Sequence, residues 1–147
     1  MPFVKIWIHA VWSTKNRGPL IDQSFRRDLF DHMHLNGLSK DILIEVVNGY
    51  TDHVHCLFRL RNDQNISKVM QLIKGESSFW VNQQNFTSAK FQWQEEYFAI
   101  SVSESQVNTV KAYITNQEAH HRGKLFSQEY QEFIDKYNFQ TFDDKDK

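Results

Sequence analysis

The sequence contains two His-x-His pairs, and their settings separate them. His53-Val54-His55 opens a stretch, HVHCLFRL, that reads as a β-strand. Side chains two apart on a strand project from the same face, so both imidazoles can reach one divalent ion while Val54 turns away. His32-Met33-His34 falls in a helical stretch. A two-residue step on a helix turns about 200°, so these two cannot share an ion and read as exposed helix histidines. Spacing alone leaves His53 and His55 open between a ligand pair and ordinary polar-face histidines. A distant segment, residues 107–121, reads as an amphipathic helix with Tyr113 and Gln117 one turn apart on one face. That face borders the apolar stripe of Val107, Val110 and Ile114. On spacing alone Tyr113 is a boundary residue, with a hydroxyl at a cleft as the alternative. Tyr130 and Tyr137 share a stripe with Phe126 and Phe133 and read as core. Tyr97 sits in a strand. Tyr50, near the His pair in the chain, is the one rival to Tyr113 as a nucleophile.

The elements that must position these groups are legible from periodicity. Val4 to Trp12 alternates and reads as a strand. Ser13 to Pro19 is a polar, basic loop with a Gly-Pro break. Phe25, Leu29, Phe30, Met33 and Leu38 form a helical stripe, capped by Asp22 or Ser24 and closed near Gly37. Asp41 to Val47 is a second strand, Asn48-Gly49 a turn signal, and His53 to Leu60 a third strand, so the two form a hairpin. The loop exceeds two residues if Tyr50 to Asp52 also lie outside the ladder. Ile66, Val69, Met70, Ile73, Phe79 and Trp80 mark a second helix, starting near Asn65 or Ser67 and weakened at Gly75. A fourth strand lies in Phe91 to Ser103, best around Tyr97 to Val102. Ser103 with Gln106 has the form of a capping box for the helix that follows. Phe126 to Tyr137 is a C-terminal helix. The order β-α-β-β-α-β plus two helices predicts an α+β, ferredoxin-like (RRM-like) antiparallel sheet. With helices on one face, the other face is open to a partner or substrate.

Composition narrows the class. The 147 residues fit one domain spanning 1–147, with a frayed acidic tail near 140–147. Aromatics at 14%, including 12 Phe, supply a core and exclude wholesale disorder. The single Cys56 excludes a disulfide framework and a Cys-based zinc site, and a reducing cytoplasm is the expected compartment. No apolar run is long enough to span a membrane. Net charge is −1, not the basic balance usual for nucleic-acid binders. The imbalance is local: from Gln128 onward there are six acids and three bases, against 14 bases and 12 acids before it. The acidic stretch is expected to face away from any nucleic acid.

Four segments taken together resemble a known family. They are Asp-His-Val-His at 52–55, Ser-Thr-Lys-Asn-Arg at 13–17, Trp93-Gln94-Glu95 with Ser101-Val102-Ser103, and Tyr-Ile-Thr-Asn-Gln-Glu-Ala-His-His at 113–121. Together they resemble the HUH-type single-tyrosine transposases of small, IS-200-like insertion sequences and their REP-associated relatives. The resemblance runs from about Phe3 to Phe133. It implies a DNA transposase that cuts and rejoins single-stranded DNA beside hairpins. The implied nucleophile is Tyr113, which becomes linked to a 5′ phosphate and frees a 3′ hydroxyl. The implied metal ligands are His53 and His55, with Gln117 as third, and the implied ion is Mg2+ or Mn2+. It also implies a homodimer in which one subunit's tyrosine helix can serve the other's His pair. Asn48 to Asp52 departs from the family's commoner Gly-rich form with Pro ahead of the Asp, which bears on loop shape.

Phosphate contacts are expected from Lys15, Arg17, Lys74 and Arg122, with Arg59, Arg61, Lys111 and Lys124 as further cations. Trp80, Phe91 and Trp93 could stack on bases, though most rings must be core. His120 and His121 could bind DNA or pack. The alternative function is a domesticated or non-catalytic single-stranded nucleic-acid binding protein on the same fold, although the chain lacks an RRM signature. A metal-dependent hydrolase without a covalent step is a further class.

Overall fold

β1 (Ile6–Ser13) carries Ile8, Ala10 and Trp12 toward one side of the sheet and Trp7, His9 and Val11 toward the other. Both sets are buried, which marks a central strand rather than an edge. The computed structural model of the chain describes residues 2–121 and 124–137. The four strands run β2 (Leu43–Gly49), β3 (His53–Leu60), β1 and β4 (Phe98–Val102) across one sheet, every pair antiparallel. This is the order a split-βαβ fold requires.

The main core lies between the sheet and two helices. α1 (Gln23–Ser39) starts at Asp22, whose carboxylate accepts from Ser24 N at 3.0 Å. It buries Phe25, Leu29, Phe30 and Met33. Leu38, expected in that stripe, is 60% exposed, and Gly37 takes the contact instead. A Cβ on Gly37 would stand 2.9 Å from Ile44 Cδ1, so the helix approaches β2 only because none is there. α2 (Ile66–Gln84) is capped by Asn65, which accepts from Lys68 N at 2.8 Å. It buries Val69, Met70, Ile73, Ser77 and Val81, while Phe79 is 63% exposed and outside the expected stripe. Gly75 faces open space and does not interrupt the helix. His32 is not an isolated surface residue: it bonds Glu76 of α2 at 2.9 Å and stacks on Trp80.

Asn48 and Gly49 belong to β2, paired with His55 and Val54, so they are not the turn itself. Tyr50 to Asp52 form the connection, closed by Tyr50 N donating to His53 O at 3.1 Å. A Cβ on Gly49 would collide with that same carbonyl.

The second face of the sheet is covered in part. A 3-10 turn at Glu104–Gln106 leads into α3 (Val107–Thr115). Ser103 makes no side-chain cap there, and its hydroxyl meets Ser105 Oγ at 3.3 Å, so the capping box does not form. The helix expected over 107–121 breaks at Asn116 (φ −94°, ψ 20°) and resumes as the short α4 (Gln117–His120). Asn48 Nδ2 donates to the carbonyls of Ile114 and Thr115, both at 3.0 Å, and so satisfies the end of α3. Val107 and Ile114 form a second apolar cluster with Trp7 and Leu57. α5 (Phe126–Tyr137) completes the described chain. No helix among the described residues is long and apolar enough to cross a membrane.

Candidate active site

His53 and His55 are the first and third residues of β3 and point to the face that carries α3 and α5, while Val54 enters the main core. Neither imidazole exposes any surface. Asp52 Oδ1 lies 2.9 Å from His53 Nδ1 and, as an acceptor, places a proton there. His53 Nε2 then presents a lone pair. Its neighbours are Gln117 Oε1 at 3.0 Å and Glu129 Oε1 at 3.4 Å, both acceptors. The Gln117 amide is turned this way because its Nε2 donates to Tyr113 O at 3.3 Å. His55 Nε2 lies 2.9 Å from Glu129 Oε1, and His55 Nδ1 lies 2.9 Å from His9 Nε2. Tyr113 donates its hydroxyl proton to Glu129 Oε2.

Acceptors converging on one point call for a cation. Ligand-capable atoms of His53, His55 and Glu129 all lie within 4.8 Å of one another. The separations of 2.9, 3.0 and 3.4 Å are near the roughly 3.0 Å expected between adjacent ligands each about 2.1 Å from an ion. Two imidazoles with a carboxylate or amide oxygen form a donor set that suits Mn2+ better than oxygen-preferring Mg2+. The residues present therefore fit a divalent metal.

The electrostatics follow from burial around one carboxylate. Burial, with His55 beside it, holds His9 down at about 3, and burial holds His55 at about 4 against the pull of Glu129. Burial alone would raise Glu129, but hydrogen bonds from His121 and His55 outweigh it and keep the carboxyl far below its ordinary range. Tyr113 is pushed far above the ordinary phenol range by burial and by the hydrogen bond and charge of Glu129. His121 is also buried, which lowers it, yet the Glu129 contacts raise it overall. Its Nε2 lies 3.3 Å from Glu129 Oε1. Without a metal, the site holds an ionised carboxylate, neutral His9 and His55, and a protonated phenol.

Of the residues singled out from sequence, His53, His55, Tyr113 and Gln117 are brought together within one chain. The rival Tyr50 is not at the ligand cluster; its ring stacks on His121 and lies under the Arg26 guanidinium. Among the described residues of the acidic stretch, Glu129 alone departs from the expectation that it faces away, being buried in the site, whereas Glu132 and Asp135 are exposed. The missed signal is the place of Glu129 three after Phe126 and one before Tyr130. That spacing puts a carboxylate on the apolar face of α5, where a charge must be paired. His9 was equally readable, two strand positions from Val11 and on the same face.

The expected phosphate contacts have different settings. Lys15 is exposed at the 3-10 turn Lys15–Arg17. Asn16 and Arg17 both adopt positive φ, 58° and 54°, an uncommon backbone for such side chains. Hydrogen bonds from Asn16 N to Gln94 Oε1 and from Lys15 N to Gln92 O hold the turn. It lays the Arg17 guanidinium 4.6 Å over the Tyr130 ring. Lys74 instead donates to the carbonyls of Gln94 and Glu95 at 2.6 and 2.8 Å, clipping that loop to α2. Lys111 and Lys124 pair with Glu45 and Glu132. Trp80 and Trp93 are half-buried and Phe91 is buried. Arg122, the tail at 140–147, and the side chains of His120, Phe133 and Tyr137 lie outside the described residues.

Beside the site a cleft of about 970 Å³ is lined by Asn16, Arg17, Tyr97, Phe98, Phe126 and Tyr130, among others. Phe126 joins the two, since its ring stacks on His53 with centroids 4.3 Å apart.

Comparison with known proteins bears on the family and the fold. Residues 3–117 match the family described as "Transposase IS200 like". No protein with a curated description matches the chain. Among solved structures, a protein of Deinococcus radiodurans R1 assigned as a transposase superposes with a TM-score of 0.63 at 20% identity, over 79% of this chain and 93% of its own. A REP-associated tyrosine transposase bound to a REP hairpin superposes with a TM-score of 0.58 at 16% identity, over 82% of this chain and 72% of its own.

Proposed function

The chain belongs to the IS200-like transposase family, and from that premise we propose that it cuts and rejoins single-stranded DNA beside hairpins through a covalent 5′-phosphotyrosine link on Tyr113. The observation that carries this reading is the convergence of the Tyr113 hydroxyl with His53, His55, Gln117 and Glu129. In this reading Tyr113 Oη attacks the scissile phosphorus, the bond to the 3′ oxygen breaks, and that oxygen leaves as a hydroxyl. Reverse attack by another 3′ hydroxyl rejoins strands, so no external energy source is needed.

His53 and His55 would hold Mg2+ or Mn2+, with Glu129 or Gln117 completing the protein's share. A bound ion would neutralise charge building on the phosphate and offset the Glu129 carboxylate that otherwise keeps Tyr113 protonated. Glu129 Oε2, the acceptor of the phenolic hydrogen bond, orients Tyr113 Oη, while the phenolic proton is released to solvent on attack and the departing 3′ oxygen takes one up from solvent. Asp52 orients His53, and Phe126 shields its ring from water.

Unpaired nucleotides flanking the scissile phosphate would lie in the cleft beside Phe126. There Arg17 offers charge, and Tyr97, Phe98 and Tyr130 offer rings for stacking. Lys15 would neutralise a phosphate beyond it, whereas Lys74 would act through the loop it clips; Arg122, outside the described residues, is proposed as a phosphate contact from its charge alone. The hairpin in the complex of the REP-associated relative supports hairpin DNA as partner. Two copies would act as a homodimer, the catalytic groups already meeting within one chain.

Incubating the protein with hairpin-bearing single-stranded DNA and Mn2+ tests the proposal. A covalent protein–DNA adduct and a free 3′ hydroxyl are expected, with both lost in Tyr113→Phe. Cleavage by that variant with a free 5′ phosphate would instead make the protein a hydrolase.

A further inference from the structure

The contact between His9 and His55 joins ring nitrogen to ring nitrogen, and between two neutral, buried rings such a contact has only two solutions. His9 pairs with Leu57 across the ladder and His55 with Val11, so the two histidines are diagonal neighbours on one face. Their nitrogens, Nε2 of His9 and Nδ1 of His55, are 2.9 Å apart, and both rings are buried. Two lone pairs or two N–H groups at that distance repel, so one proton lies between them.

In the first solution His9 donates from Nε2. His55 then carries its own proton on Nε2, where Glu129 Oε1 accepts it at 2.9 Å. In the second, His55 donates from Nδ1, His9 carries its proton on Nδ1, and His55 Nε2 presents a lone pair toward the ligand cluster. Only the second leaves His55 able to ligate a metal through Nε2. Passing between them, one proton is released from His55 Nε2 to solvent, the shared proton crosses from His9 Nε2 to His55 Nδ1, and His9 Nδ1 gains one proton drawn from solvent. The pair holds two protons in both states, so neither ring becomes charged.

We propose that His9 is a positioning residue that exchanges tautomer in step with His55, with its proton on Nε2 when the site is metal-free and on Nδ1 when a divalent ion is bound. This rests on the metal reading of the site. The contrast with His53 is the reason to single it out. Asp52 can only accept, so it holds the His53 proton on Nδ1 in both states. His55 is instead backed by a group that both donates and accepts. A buried pocket that must be satisfied with and without an ion needs such a group, because an unmet buried N–H is costly.

The test uses the full chain as wild type, His9→Gln and His9→Leu. Glutamine keeps an amide that can turn either its oxygen or its nitrogen toward His55, and leucine keeps neither. Mn2+ affinity is read from the electron paramagnetic resonance of the free ion, with circular dichroism confirming the fold. The leucine variant should bind Mn2+ about 10–100-fold more weakly, and the glutamine variant within about threefold of wild type. In wild type, with Zn2+ as a diamagnetic probe, the 15N resonances of His9 should show its proton moving from Nε2 to Nδ1 on saturation. A folded leucine variant with near-wild-type affinity, equal losses in both variants, or an unchanged His9 tautomer overturns the proposal. If the leucine variant does not fold, the wild-type spectrum decides. Failure of wild type to bind Mn2+ or Zn2+ overturns the metal reading and this proposal together, while binding with a fixed tautomer overturns this one alone.

Discussion

Tyr113 on α3 and Glu129 on α5, sixteen positions apart, are joined by a hydrogen bond from the phenol to one carboxylate oxygen, while the other oxygen meets His55. One carboxylate thus touches both the candidate nucleophile and the candidate metal ligands. The contact also ties α5 to the sheet face that α3 covers.

Removing the charge at Glu129 should separate these roles. Glu129→Gln in metal-free protein should lower the Tyr113 pKa, since the carboxylate's hydrogen bond and charge both raise it. Ultraviolet titration of phenolate, compared with Tyr113→Phe to isolate this tyrosine, checks the shift. Glu129→Ala should also cost about 2–4 kcal/mol in denaturant unfolding, because several buried polar groups lose their acceptor. A stability within about 0.5 kcal/mol of wild type would mean that the contact is not formed in solution.

The pH dependence of stability has a definite sign. His9 at about 3 and His55 at about 4 lie below their ordinary 6.5, so the unfolded chain binds more protons in that window. Their contribution is complete above about pH 6.5 and is lost as pH falls toward 4. His121, shifted upward, works the opposite way and contributes most at low pH. The two lowered groups outnumber the raised one. The melting temperature of EDTA-treated protein should therefore fall between about pH 7 and pH 5, and His9→Gln should flatten that fall.

How much of this was legible in the sequence depends on what each signal reports. Alternation in Val4 to Trp12 and in His53 to Leu60 reports which side chains share a face, so the strands and the His pair were readable. Periodicity in residues 107–121 says nothing of a break at Asn116, because the break is stabilised by Asn48 from another strand. Leu38 and Phe79 fit their helical stripes but lie outward. At Gly37 the decisive fact is a missing Cβ, which hydrophobicity does not encode. Lys74 reads as a surface cation, and only the fold shows two carbonyls waiting for it. Glu129 was hidden by its company: counted with a run of acids it looks solvated, whereas read by position it falls on the face of Phe126 and Tyr130.

Three glycines give a graded check of the packing. Gly75→Ala should stabilise by about 0.5–1 kcal/mol, since its Cβ meets open space in a helix interior. Gly37→Ala should cost about 1–3 kcal/mol, because Ile44 must retreat. Gly49→Ala should be worse than either, as its Cβ would meet the His53 carbonyl. Thermal or denaturant unfolding of the three variants checks the ranking.

Salt dependence separates the cations. If Lys15 and Arg17 each neutralise a phosphate, replacing either by Ala should reduce the slope of log affinity against log salt by about 0.7 for single-stranded DNA. Lys74→Met should leave the slope unchanged, since its ammonium is held by Gln94 and Glu95, while speeding hydrogen exchange in the 94–95 loop. A drop in slope with Lys74→Met would place that side chain on the DNA.

The most direct measurement is peptide mass mapping of the adduct formed with hairpin-bearing single-stranded DNA and Mn2+. The account predicts a nucleotide phosphate on the peptide containing Tyr113, and on no other tyrosine. A modified Tyr50, or cleaved DNA with every tyrosine unmodified, would contradict it.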